Sequence, residues 1–229
     1  MNHTTLSNIP VRERNDLLIG WIAIAVAFTL IFVRGGGINP FTFAVFFVIS
    51  LFTVGLGFLL HELAHKFTAM KYGYWAEFHK DNQMLLVAVA LAALVGVVFA
   101  APGATVIYGQ PGRVMSKEED GIISVAGPLV NLILCIPFFL LILAGAVLGY
   151  TSGEGSLLSF ILFITGTIGL SVNSMIAFFN LLPVSILDGR KILSWNPAVF
   201  AAMIITALAV LLISYDYGGI LSAILNFIL

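Results

Sequence analysis

Charge is what this chain has least of. Of its 229 residues, ten are Lys or Arg and eleven are Asp or Glu, 9% in all, where a soluble domain carries about 25%. A net charge of −1 leaves no electrostatic case for binding nucleic acid. Cysteine is nearly absent as well. Cys135 alone rules out a disulfide framework or a cysteine-built zinc site. No small-residue cleavage site follows the first apolar run, which ends in Arg34-Gly35-Gly36-Gly37, so that run is expected to stay as a membrane span and not to be removed as a signal peptide. Internal repeats and low-complexity linkers are missing too. The chain therefore reads as a single domain over residues 1–229.

What fills the space is hydrocarbon. Hydrophobic residues make up 60% of the chain, and the mean hydropathy is +1.09. These values describe an integral, multi-pass membrane protein whose main partner is the lipid bilayer. A spanning helix needs about 20 apolar residues. Candidate segments are Leu17–Val33, Phe41–Leu60 (helical on to about Met70), Met84–Ala100, Ile122–Tyr150, Leu157–Leu182 and Ala198–Ser214, followed by a short apolar tail, Gly219–Leu229. The predicted fold is an all-α polytopic membrane protein. It has about six transmembrane or re-entrant helical segments and a small membrane-associated β element. The β element is expected in the β-branched stretch "ATVIYG" at 104–109, which could pair with a strand; the stretch "YGYWAEFHKDNQ" at 72–83 alternates partly and carries Tyr72, Tyr74 and Trp75 as interface aromatics. An edge strand there offers backbone donors and acceptors to which an extended substrate could add.

Positive charge sets the orientation. Arg12 and Arg14 precede the first span, Lys66, Lys71 and Lys80 follow the second, and Arg190 and Lys191 follow the fifth, whereas "TSGEGS" (151–156) has no Lys or Arg. The scheme closes only if the chain from Met84 to Asp120 begins and ends on the cytoplasmic side. That favours a re-entrant hairpin, or a helix with an extended return, over a simple span. Arg34 on the far side is the one charge against it.

Against this background "FLLHELAHKF" (58–67) stands out, since ionisable groups in a membrane segment are costly. His61 and His65 are four residues apart and so share one helix face. They can point two imidazoles at one cation. Glu62, about 100° round the helix, can reach a water bound to that cation without itself being a ligand. This is the arrangement of metalloproteases, with two His ligands and a Glu as general base on a zinc-activated water. The plain alternative is a polar helix end whose side chains snorkel to the interface beside Lys66 and Lys71, but it leaves the Glu62 carboxylate without a partner. A catalytic zinc needs a third protein ligand. Glu118, Glu119 and Asp120 read as a solvated run ahead of a helix. Glu77 and Asp81 qualify only if their polar stretch folds back. Asp188, at the inward end of an apolar helix in "LLPVSILDGRK" (181–191), is placed best, near the same membrane face as the histidines. Taken alone it is an aspartate capping a helix or turn before Gly189. His79 reads as a solvated loop histidine.

Three stretches together resemble the site-2 proteases, intramembrane zinc metalloproteases. "HELAH" (61–65) is similar to the family's His-Glu-x-x-His, "AGPLVNL" (126–132) to its Gly-Pro-x-x-Asn helix, and "NLLPVSILDG" (180–189) to its Asn-x-x-Pro motif ending in Leu-Asp-Gly. Their order and spacing match over a core of about 41–191. The resemblance implies that His61, His65 and Asp188 bind Zn2+, that Glu62 is the catalytic base, and that Asn180 holds the substrate backbone or the oxyanion. Asn131 has a structural or a functional place, and Gly127 and Pro128 permit close packing or a kink. The resemblance also implies a transmembrane protein as substrate, while the positive charges place the site nearer the cytoplasmic face, and the lack of an organelle-targeting segment with the minimal core suggests a prokaryotic plasma membrane. Ser185 and Ile186 stand where the family often has prolines. No stretch is polar enough for the PDZ domain that many members carry. The competing reading is a zinc-binding membrane scaffold or a metal permease. A permease should place ionisable groups along a path through several spans, whereas here they gather at one end.

Overall fold

The computed structural model describes residues 9–34, 39–96, 98, 103–109, 112–152 and 156–228. In hydrocarbon, a backbone amide has no water to bond, so long apolar runs must satisfy their polar groups internally as helices. Helix α1 covers Val11–Val33. Helix α2 (Pro40–Ser50) passes through a single π turn (Leu51–Gly55) into α3 (Leu56–Lys71), making one continuous rod of 32 residues. Strand β1 (Trp75–Lys80), helix α4 (Asn82–Leu94) and strand β2 (Gly103–Tyr108) follow, then α5 (Lys117–Ser152), α6 (Leu157–Asn180), α7 (Asp188–Trp195), α8 (Pro197–Tyr215) and α9 (Gly218–Ile228). Five of these rods are long and apolar enough to cross a membrane: α1, α2–α3, α5, α6 and α8. This is a membrane protein.

The third apolar segment holds a helix too short to cross a membrane alone. Helix α4 has 13 residues, about 20 Å of rise, against a hydrocarbon core of about 30 Å. The antiparallel register pairs Lys80 with Gly103, so the chain between them departs from the ribbon and comes back to it. A single crossing would leave those two residues on opposite faces. Arg34, the charge that fitted worst, has a local role: its guanidinium donates to the Leu94 carbonyl at 2.8 Å, satisfying one of the acceptors left over at the end of α4. Residues 99–102, expected in part to continue this segment, lie outside the described residues.

Close helix contact is made by small residues, as is usual in membranes. On the α5–α6 seam, a Cβ on Gly145 would lie 2.6 Å from the Phe163 backbone nitrogen, and one on Gly166 would lie 2.6 Å from that of Ile142. A second buried cluster, with Leu17, Ile24, Val54, Phe58, Phe78, Ile168 and Val172, joins α1, the α2–α3 rod, β1 and α6. Just before the histidines the rod contains the π turn. Trp21 of α1 donates its indole N–H to the Leu51 carbonyl at 2.9 Å, and Gly55 accommodates that ring. Such turns are frequent at functional sites.

Lys66 differs from its sequence expectation. It does not extend to the interface. Its side chain is 1% exposed and its ammonium donates to Glu13 Oε2 at 2.6 Å and to the Ala76 carbonyl at 2.7 Å. Glu13, equally buried, accepts from the Phe78 backbone N–H at 3.1 Å through Oε1. A buried ion pair persists when its remaining hydrogen-bonding capacity is also met. Here α1, α3 and β1 meet that requirement together, and α1 starts at Val11, ahead of the long apolar run that begins at Leu17.

Candidate metal centre

His61 and His65 rise from adjacent turns of α3. Their ring centroids are 4.7 Å apart and their planes almost perpendicular. Asp188 arrives from the first turn of α7. The α6–α7 connection is tight enough to bring it in. Gly189 packs on the end of α6 so closely that a Cβ there would lie 2.0 Å from the Leu181 carbonyl oxygen. Ser185 turns the chain with φ of 52°, a conformation closed to proline, so this connection cannot carry a proline at 185 as the resembling family often does in this stretch. Arg190 reaches back to the Ser185 carbonyl at 3.3 Å.

The three donors form a nearly equilateral triangle. His61 Nε2 and His65 Nε2 are 3.0 Å apart, and Asp188 Oδ2 lies 3.5 Å from the first and 3.2 Å from the second. Ligands about 2.0–2.1 Å from a tetrahedral zinc lie about 3.3 Å from one another. The triangle therefore fits one face of such a site and leaves the fourth position open. It is the one group of this kind among the described residues.

Tautomers support the fit. His65 Nδ1 faces the Ile123 carbonyl at 2.8 Å. That oxygen can only accept, so Nδ1 carries the proton. His61 Nδ1 faces Asn131 Oδ1 at 2.6 Å. Asn131 is oriented by its other end, where Nδ2 donates to Asn173 Oδ1 at 3.0 Å and to the Gly57 carbonyl at 3.2 Å. Both Nε2 lone pairs thus point into the triangle, and two acceptors that close repel unless a cation or a proton lies between them. Outer-shell hydrogen bonds of this type orient metal-binding histidines.

Gly127 provides the room. A Cβ there would lie 2.3 Å from His65 Nε2 and 2.6 Å from His61 Nε2, close to where a cation would sit. In sequence, Gly127 signals only close packing or a kink. The structure puts its bare Cα against the donors. Asn173, which the sequence reading did not single out, completes a buried chain from His61 through Asn131 to the Gly169 carbonyl, the last bond at 2.9 Å. Its signal was weak: one more polar residue on a membrane helix.

Glu62 sits beside the triangle, outside it. Its Oε2 accepts from the Thr105 backbone N–H at 3.0 Å and from the Thr105 hydroxyl at 2.8 Å. Glu77 and Asp81, held in reserve as third ligands, are used elsewhere. Glu77 accepts from the Trp75 indole, and Asp81 caps α4 through the Gln83 and Met84 backbone N–H groups. The acidic run at 118–120 lies inside the first turn of α5 and not in a loop, with Glu119 bonded to Tyr74, Ser116 and Arg113. His79 pairs with the Tyr108 hydroxyl at 2.8 Å. Asn180, at the last turn of α6, donates its amide to the Ile176 carbonyl of its own helix at 2.9 Å.

A Methanocaldococcus jannaschii protein bearing the name "Putative zinc metalloprotease" is 39% identical over 190 residues, 83% of this chain and 87% of that one. The chain belongs to this zinc metalloprotease family. No protein-family model and no solved structure matches it. A metalloprotease of this family needs clustered metal donors and a nearby carboxylate, and the α3–α5–α7 junction has both.

Proposed function

We propose that the chain is an intramembrane zinc metalloendopeptidase of the site-2 type, which hydrolyses peptide bonds within or near transmembrane segments of other membrane proteins. The observation that carries this reading is the donor triangle, two of its corners on the membrane-length apolar rod Pro40–Lys71 and the third on the short helix α7, with both Nδ1 atoms tied down and a glycine facing the centre. His61, His65 and Asp188 would hold zinc. Bound there, zinc would polarise the scissile carbonyl and bring the pKa of water down to about 7.

The chain's own residues do the rest. Glu62 takes the proton from the attacking water on Oε1, the oxygen that Thr105 does not use, and passes it to the leaving amine, as a general base and then a general acid. Asn180 is a candidate donor to the substrate backbone or the developing oxyanion, and to serve it must turn its amide away from Ile176. The substrate must lie extended, since a helical peptide bond is closed to attack. β2 has a single strand neighbour, so beyond Thr105, whose N–H is taken by Glu62, its outer edge is a candidate place for an extended backbone. The positive charges at the site's end of the rods support placing it near the cytoplasmic face, in a prokaryotic plasma membrane. No observation favours a permease: among the described residues the candidate metal donors form a single group.

The test is Glu62→Gln. Purified in detergent, this variant should keep its zinc and lose cleavage of a transmembrane substrate by about 10²-fold or more. Full activity in that variant would remove Glu62 from the mechanism.

A further inference from the structure

The two strands form an antiparallel ladder in which every second pair turns its N–H and C=O groups outward. Glu13 fixes the phase. It accepts from the Phe78 N–H, and Lys66 donates to the Ala76 C=O, so residues 76 and 78 face outward on β1. Their partners are Ile107 and Thr105, which therefore face outward on β2. The Thr105 N–H cannot be part of the ladder, and its acceptor is Glu62 Oε2. The Thr105 hydroxyl lands on the same oxygen and lies 3.2 Å from the Glu62 carbonyl. Glu62 is thus held at one oxygen by two donors from a strand that follows it by 43 residues. Its other oxygen has no partner among the described contacts.

We propose that Thr105 is a positioning residue for the Glu62 carboxylate, so that the strand and the base form a single unit. The inference rests on the enzymatic reading of the site given above. A free glutamate samples many rotamers, and fixing it costs side-chain entropy. Two donors on Oε2 meet that cost before substrate arrives and leave Oε1 as the basic atom. Positioning of this kind matters because a small misplacement of a reacting group lowers rate steeply. The edge that can take a substrate backbone is also the edge that aims the base. An extended chain settling beside Thr105 meets Glu62 already in place.

The experiment has two arms on the full-length protein in detergent. In the first, amide hydrogen exchange is followed across 103–108 in wild type and in Glu62→Ala. Loss of protection at Thr105, with Ala104 and Val106 unchanged because they bond to β1, is the expected result. Equal exchange at Thr105 in both proteins overturns the proposal. In the second, Thr105→Val removes the hydroxyl and preserves shape. It should lower kcat about tenfold with KM and zinc content unchanged, and Thr105→Ser should restore most of it. A Val variant with wild-type kcat, or a Ser variant as slow as Val, also overturns it. A wild type that cleaves no peptide would remove the enzymatic reading and with it the catalytic part of the proposal. The exchange arm would then decide the contact alone.

Discussion

Two glutamates hold the two edges of one β-ribbon, and they do so differently. Glu13 accepts an outward N–H from β1, and Glu62 accepts one from β2. Glu13 is sealed: it is 1% exposed, both its oxygens are used, and the Lys66 ammonium is 2.6 Å away. Glu62 is half-buried, uses one oxygen, and has no cationic partner among the described ion pairs. The closed edge anchors the ribbon to α1 and α3; in the mechanism proposed above, the other edge holds the base. A carboxylate whose charge is matched by a buried ammonium is held as a fixed ion. One held by neutral donors at a single oxygen keeps a lone pair free for a proton.

The comparison can be broken by exchanging the costs. Glu62→Gln should stop turnover while leaving thermal unfolding and zinc content at wild-type values. Glu13→Gln should do the reverse. It leaves Lys66 buried without a counter-charge, which costs about 3–5 kcal/mol, seen as a lower midpoint of thermal unfolding in detergent, while the molecules still folded retain kcat within about twofold. If Glu13→Gln lost kcat with unchanged stability, the two edges would not be distinct. A finer test is Trp75→Leu. The Lys66 ammonium lies 5.2 Å from the centre of the Trp75 ring, a cation–π contact of about 0.5–2 kcal/mol. Its loss should lower the unfolding midpoint slightly and leave kcat unchanged.

Much of the site could be read in advance because its signal is local or comes in motifs. His61, Glu62 and His65 are set by i, i+4 spacing on one helix. Asp188 was distinguished by its place at the end of an apolar helix, and the structure brings it to within 3.5 Å of both histidines. The extended stretch at 104–109 was legible as well, from its β-branched residues; that its partner is Trp75–Lys80 was not. What could not be read were pairings between distant positions. Lys66 looked like a cation bound for the interface, since nothing near it in sequence says that Glu13, 53 residues earlier, will lie against it. Thr105 looked like one more β-former. Gly127 looked like a packing glycine, and only the approach of α5 to α3 shows that its missing side chain makes room between two imidazoles. The short helix α7 could not be read either, because eight residues with a Gly at the second position carry too little periodicity to announce a helix.

The measurement that bears most directly on the centre is the zinc content, by elemental mass spectrometry, of wild-type protein and of Asp188→Ala, each purified in detergent. The account predicts about one zinc per chain in wild type and a large loss in Asp188→Ala, because that change removes one corner of a three-cornered site. Wild type without zinc, or Asp188→Ala with as much zinc as wild type, would contradict it.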